Sequence, residues 1–292
     1  MLKPELTLFL LLVLIVPSAS ARKNKYVKEG YKLVWSDEFK KNGVPDTSVW
    51  NFETGFLRNR EDQWYQPENA YCLGGCLVIE GRKEHRLNPG YNENSNNWRH
   101  GRKFIEYTSA SLNTRNKKEF QYGRFEIRAK IDTAMGLWPA IWTLGRAGEW
   151  PSCGEIDIME SYPINNVHHI LANVACGTHK RYNAKWNSAA VPLSHFLAKD
   201  PDWPSKFHVW RMDWDEEVIR LYLDDELLNE TYLKDAYNAD GTNPFNQPHY
   251  ILLNLAIGGD HGGTINNNIF PTKYQIDYVR VYQRVAIKPF LQ

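Results

Sequence analysis

The sequence predicts an all-β fold, a sandwich or barrel of antiparallel strands. Three observations carry this. Short segments rich in Val, Ile, Tyr, Phe and Trp recur along the chain and alternate apolar with polar residues. In "RFEIRAKI", Phe125, Ile127 and Ala129 share one face, and Arg124, Glu126, Arg128 and Lys130 the other. Turn residues separate these segments at short intervals, and helical patterns of useful length are nearly absent. Many short strands so spaced must close on themselves to bury their apolar faces.

The first segment, "MLKPELTLFLLLVLIVPSASARKN", is not part of that fold. A lysine, an apolar run too short to span a bilayer, Pro17 and a small-residue cleavage pattern at Ala19-Ser20-Ala21 predict a secretory signal over 1–21. No cysteine near the cleavage point supports a lipid anchor. The expectation is an exported chain, secreted or periplasmic, with one catalytic domain over 22–292 and no membrane insertion. Strands are predicted at 31–36, 76–84, 107–112, 123–130, 140–144, 155–161, 170–175, 208–213, 218–223, 250–257 and 275–282. "VIRLYLDDELL" reads as two short strands around a turn at Asp224-Asp225, and "PLSHFLAKD" (192–200) as a short helix. The alternating "YQIDYVRVYQ" near the end is expected to pair with "YKLVWSDEF" near the start. The segments 85–105 and 178–207 are expected to be loops walling a binding site.

Composition narrows function. The formal net charge is +1 over 292 residues, so no basic surface calls for nucleic acid or an anionic membrane. A monomer is expected. Aromatic residues are abundant, with 11 Trp, 16 Tyr and 12 Phe. Flat rings with one polar edge suit sugars, and suit a β-rich core equally well. The four cysteines, Cys72, Cys76, Cys153 and Cys176, leave two disulfides or buried free thiols open, and their spacing matches no familiar zinc pattern.

The informative stretch is "WPSCGEIDIMESY", which sets Glu155, Asp157 and Glu160 among apolar residues. In a strand, residues two apart share a face, so Glu155 and Asp157 point together and Glu160 points away. A β-bulge at Ile158-Met159 restores the phase and lines all three acids on one face. Glu155 and Glu160 are then four strand steps apart, roughly 13 Å at ~3.3 Å per residue. Leaning side chains close that to about the 5–5.5 Å of a retaining glycosidase pair. Three close acids repel, so at least one keeps its proton. One glutamate can then serve as general acid and the other as nucleophile, with Asp157 tuning both.

"GEIDIMES" resembles the E-x-D-x-x-E signature of glycoside hydrolase family 16, the laminarinase, lichenase and agarase group. "GRFEIRAKI", "GLWPAIWTLG", "YILLNLAIGG", "WSDEF" and "DYVRVYQ" resemble that family too, in the expected order. The resemblance implies a jelly roll of two curved antiparallel sheets with a concave cleft, and retaining endo-hydrolysis of a β-linked polysaccharide. It implies Glu155 as nucleophile, Glu160 as acid/base and Asp157 as assisting acid. Trp138, Trp142 and Asn254 are implied at the cleft.

Weaker expectations follow. Asn59, Arg60, Glu61 and Trp64 sit where the family places a sugar-binding loop. After the acid motif, where members often carry a histidine, this chain has Asn173, and His179, Arg181 and Trp186 follow as candidates to rebuild the wall. No cofactor is required. Some members hold a structural Ca²⁺, which here would use Glu38, Asp277 and the carbonyl near Gly81. Substrate stays open between a β-1,3- or mixed-linkage glucan and a galactose-containing chain such as agar, porphyran or mucin poly-lactosamine. A non-catalytic glycan-binding jelly roll is the rival outside enzymes. Transglycosylating plant relatives usually lack the bulge residue, so Met159 argues against that activity.

Overall fold

The computed structural model describes residues 27, 28 and 30–285. The expected signal segment lies outside the described residues. The strands are β1 (Val27–Lys28), β2 (Tyr31–Asp37), β3 (Asn51–Phe52), β4 (Gln63–Tyr65), β5 (Ala70–Leu73), β6 (Cys76–Leu87) and β7 (Phe104–Ser109). They continue as β8 (Ser111–Asn113), β9 (Glu119–Phe120), β10 (Gly123–Lys130), β11 (Leu137–Gly145), β12 (Glu155–Ile164) and β13 (Val167–Gly177). The last are β14 (Ala184–Pro192), β15 (His208–Trp214), β16 (Val218–Leu223), β17 (Glu226–Tyr232), β18 (His249–Ile257) and β19 (Thr272–Arg284).

These strands make two sheets, a jelly-roll sandwich. One runs β17-β16-β15-β10-β19-β6-β7-β4, with β1, β2 and β5 at its margins. The other runs β14-β13-β12-β11-β18-β8-β3, with β9 beside β18. The parallel exception among antiparallel pairs is β4 with β7. As expected, the last strand pairs with the first long one, Val279 opposite Asp37.

One continuous core joins the sheets. Phe125, Ile127, Val279 and Val281 enter from one, and Ile141, Ile156, Leu253 and Leu255 from the other. Burying each such side chain contributes about 1.5–3 kcal/mol. The opposite face of β10 is also covered, and Arg124 there is neutralised by Asp213 at 2.7 Å. At the β16–β17 turn Asp224 and Asp225 both have positive φ, 46° and 69°, as a tight hairpin of matching twist needs.

Three expectations are corrected. The strand expected at 107–112 is two, β7 and β8, in different sheets, because the chain crosses the sandwich at buried Ala110. The segment 178–207 is not all loop. It holds β14, the edge of the sheet that carries the acids, as well as the expected helix at Leu193–Lys199. In the segment 85–105, β6 runs on to Leu87 and a helical turn forms at Trp98–Gly101. The four cysteines are free thiols, and pairing of Leu73 with Cys76 closes a tight turn between Cys72 and Cys76.

Candidate active site

The acid motif occupies β12. Asp157 lies opposite Trp142 on β11, and Met159 opposite Ile141, so Ile158 is an extra residue with no partner of its own. On the other side Asp157 pairs with Asn173 and Glu160 with Leu171, with the same slip. The bulge inferred from sequence is therefore present against both neighbours. Its physical effect is plain: Ile156, Ile158 and Met159 are all fully buried in the core. Glu155, Asp157 and Glu160 consequently face the other way.

Glu155 and Glu160 line a cavity of about 740 Å³ on the sheet that carries them, and Asp157 lies between them, 1% exposed. Glu160 is held from both sides. Trp138 Nε1 donates to its Oε1 at 2.8 Å, and Asn173 Nδ2 to its Oε2 at 2.9 Å. Asn173 also donates to Asp157 Oδ2 at 3.3 Å. Glu155 accepts from Trp150 Nε1 and from Asp157.

Burial decides where the protons sit. It raises Glu160, and the Glu155 charge adds to this, bringing the carboxyl to about 7. Asp157 is pushed well above the usual range, first by burial and then by the charges of Glu160 and Glu155. Glu155 is raised by burial too, but indole and Asp157 hydrogen bonds and the Arg58 charge oppose this. The negative charge therefore settles on Glu155, while Asp157 and Glu160 keep their protons near neutrality.

The remaining walls come from neighbouring strands. Trp142 Nε1 donates to Asn254 Oδ1 at 2.7 Å, and Asn254 Nδ2 to Tyr65 Oη at 3.0 Å. This fixes the indole of Trp142 across the cavity. Asn59 and Glu61 line the far end, linked at 3.2 Å, and Trp186 on β14 lines the near end. Three expected contacts do not line the cavity. Arg60 turns outward to an ion pair with Asp260, Trp64 packs edge-on against Phe56, and His179 is exposed on the turn after β13. Arg181, also considered for this wall, is drawn to Glu149 at 2.6 Å.

Seven lining residues were not anticipated, among them Arg58, Trp150, Tyr162 and His261. Arg58 is clamped by Glu53 at 2.6 and 3.2 Å and lies 5.1 Å from the Trp142 ring. Tyr162 and His261 pack around Trp138, with ring centroids 5.3 and 4.9 Å away. Arg58 immediately precedes Asn59, the first residue expected in a sugar-binding loop, and its partner Glu53 five residues earlier was the available signal.

The residues expected to hold a cation have arginine partners. Glu38 is engaged by Arg280 through two bonds of 2.8 Å, and Asp277 by Arg128 at 2.6 Å. Gly81 has a packing reason for its lack of a side chain, since a Cβ there would meet Thr272 at 2.9 Å. Among the described residues no group of three or more His, Cys, Asp or Glu gathers to hold a metal ion.

Comparison with known proteins agrees with this geometry. Residues 82–280 match the family described as Glycosyl hydrolases family 16. The chain belongs to glycoside hydrolase family 16. It is 38% identical to a beta-glucanase of Rhodothermus marinus, over 96% of this chain and 94% of that protein. It superimposes with a TM-score of 0.78, at 33% identity, on a structure from work on endo-acting O-glycanases that prominent members of the human gut microbiota express to initiate mucin breakdown. That match covers 88% of this chain and 92% of the other. The laminarinase from Rhodothermus marinus superimposes with a TM-score of 0.71 at 35% identity, over 87% of this chain and 98% of that one. This family 16 chain is thus an endo-acting O-glycosyl hydrolase.

Proposed function

We propose that this family 16 enzyme is an exported, monomeric endo-β-glycanase that works by double displacement with retention. The observation that carries the mechanism is the bulge in β12, which turns Glu155 and Glu160 to one cavity where burial and the Glu155 charge raise Glu160 to about 7. Glu155 attacks the anomeric carbon while Glu160 gives its proton to the departing glycosidic oxygen, and a covalent glycosyl-enzyme forms. Glu160, now a carboxylate, takes a proton from water as that water displaces Glu155. Asp157 donates a hydrogen bond to Glu155 and steadies its charge between the two steps. Trp138 and Asn173 hold the proton donor in place, and Trp142 offers an apolar face to a sugar ring.

The substrate favoured is a β-1,3- or mixed-linkage glucan. Its support is the similarity to a beta-glucanase along nearly the whole length of both chains. A second reading is an endo-β-galactosidase acting on galactose-containing chains. Its support is the higher TM-score to the structure from the O-glycanase work, together with Asn173 where a histidine is common in the resembling motif. A product screen separates them. Mature protein would be incubated with laminarin, barley β-glucan, agarose, porphyran and mucin O-glycans, with Glu155→Gln as control. Oligosaccharides from the glucans alone support the first reading. Cleavage of galactose-containing chains alone supports the second. Binding with no cleavage of any polymer means a non-catalytic glycan-binding protein and overturns both.

A further inference from the structure

A second cavity of about 280 Å³ lies on the outer side of edge strand β14, between it and β17. It is lined by Lys185, Trp186, Asn187, Glu230, Tyr232 and Asp235, among others. Trp186 is a wall of this cavity and of the catalytic one. The register explains why. Trp186 and Ser188 lie opposite Ala175 and Asn173 on β13 and face the catalytic cavity. Lys185 and Asn187, offset by one residue, face β17. β14 is therefore a ridge, with the catalytic cleft on one side, the second groove on the other, and Trp186 lining both.

We propose that the substrate chain continues past the catalytic cavity, over β14 at Trp186, and that this groove binds its sugar units distant from the scissile bond. The proposal rests on reading the catalytic cavity as a polysaccharide cleft. Continuity through Trp186 assigns the groove to that same chain. Its chemistry suits neutral, hydroxyl-rich rings. Trp186 and Tyr232 are each 45% exposed, giving flat apolar surface with a polar edge. The Glu230 carboxylate, held by Arg220 at 2.5 Å, accepts from hydroxyls, and so does Asp235. Lys185, anchored on the Asp235 carbonyl at 2.8 Å, keeps hydrogens to donate. The walls are already joined. Asn187 Nδ2 donates to Thr231 Oγ1 at 2.7 Å and to the Glu230 carbonyl at 3.1 Å, so binding requires no rearrangement.

The test compares a polymer with a short chain. Tyr232→Ala and Lys185→Ala touch the groove and not the catalytic cavity. With laminarin, KM is expected to rise about five- to tenfold in Tyr232→Ala, with kcat unchanged. With laminaritetraose both constants should match the parent, and Tyr232→Trp should restore the laminarin KM. Equal losses on polymer and tetrasaccharide would mean a disturbance passed to the catalytic cavity, and would overturn the proposal. So would an unchanged laminarin KM in both alanine variants. Mucin O-glycans and a short galacto-oligosaccharide are run in parallel. A parent that cleaves these and not laminarin overturns the glucan reading alone, and the groove is then judged on them by the same criterion. A parent that cleaves neither polymer overturns the cleft reading and the groove with it.

Discussion

Replacing Glu160 with glutamine should make the protein more stable as well as inactive, and the gain should depend on pH in a defined way. The Glu160 carboxyl is shifted from 4.5 to about 7 by burial and by the charge on Glu155. Below pH 4.5 the group is neutral in both the folded and unfolded chain, so a neutral amide changes little. Between 4.5 and 7 the folded chain binds the extra proton. Stability therefore falls as pH rises through that window, and above 7 the whole cost of the buried anion is present. At 1.36 kcal/mol per pH unit, that cost is about 3 kcal/mol. Glutamine does not bear it. Its carbonyl can accept from Trp138, and its amide can face Asn173, whose Oδ1 is buried without a partner and can receive it once that amide turns. Thermal unfolding of parent and Glu160→Gln at pH 4 and pH 8.5 reads the effect. The midpoints should nearly coincide at the lower pH and differ by about 6–12 °C at the higher, glutamine being the more stable. An equal difference at both pH values would refute the assignment of the proton to Glu160.

Three further outcomes follow from the same site. Glu155→Gln should lower turnover on the order of 10⁴-fold or more with an unchanged circular dichroism spectrum, because the attacking oxygen is gone and the fold is not; near-normal turnover would remove Glu155 from the mechanism. The kcat/KM profile should be bell-shaped, falling on the alkaline side near pH 7 as Glu160 loses its proton, and on the acid side above pH 4.5 because Glu155 is raised. A flat profile from pH 5 to 9 contradicts this. Deleting Ile158 should restore regular pairing to β12 with Glu155, Asp157 and Glu160 at alternate positions on one face, so activity should survive, while the lost burial of the Ile158 side chain costs about 1.5–3 kcal/mol in urea unfolding. Complete loss of activity in a folded variant would contradict the strand-phase argument.

The catalytic strand was legible because its pattern is a contradiction with one simple resolution. Apolar Ile156, Ile158 and Met159 cannot all reach the core unless one extra residue is inserted, and the same insertion aligns the acids. β10 and β19 were legible because alternation is clean where each face meets a different environment. β14 was not, because neither of its faces is buried enough to impose apolar alternation: one meets an open cleft and the other an open groove. The walls were only partly legible for a related reason. Arg58 and Trp150 reach the cavity from loops and His261 from a single helical turn, where no period says which way a side chain points. Arg60 was misplaced by the same gap, and Trp64 lies on β4, a strand too short to show alternation. The arginine partners of Glu38 and Asp277, 242 and 149 residues away in sequence, were out of reach of any local pattern.

The central claim is that Glu155 and Glu160 act as a nucleophile and acid/base pair on one face of a bulged strand. Proton NMR of the first product formed from a cleaved polymer tests it most directly. The account predicts that the new reducing end appears first as the β-anomer and only later mutarotates. An α-anomer appearing first would mean direct attack by water, with Glu155 acting as a base, and would contradict the account.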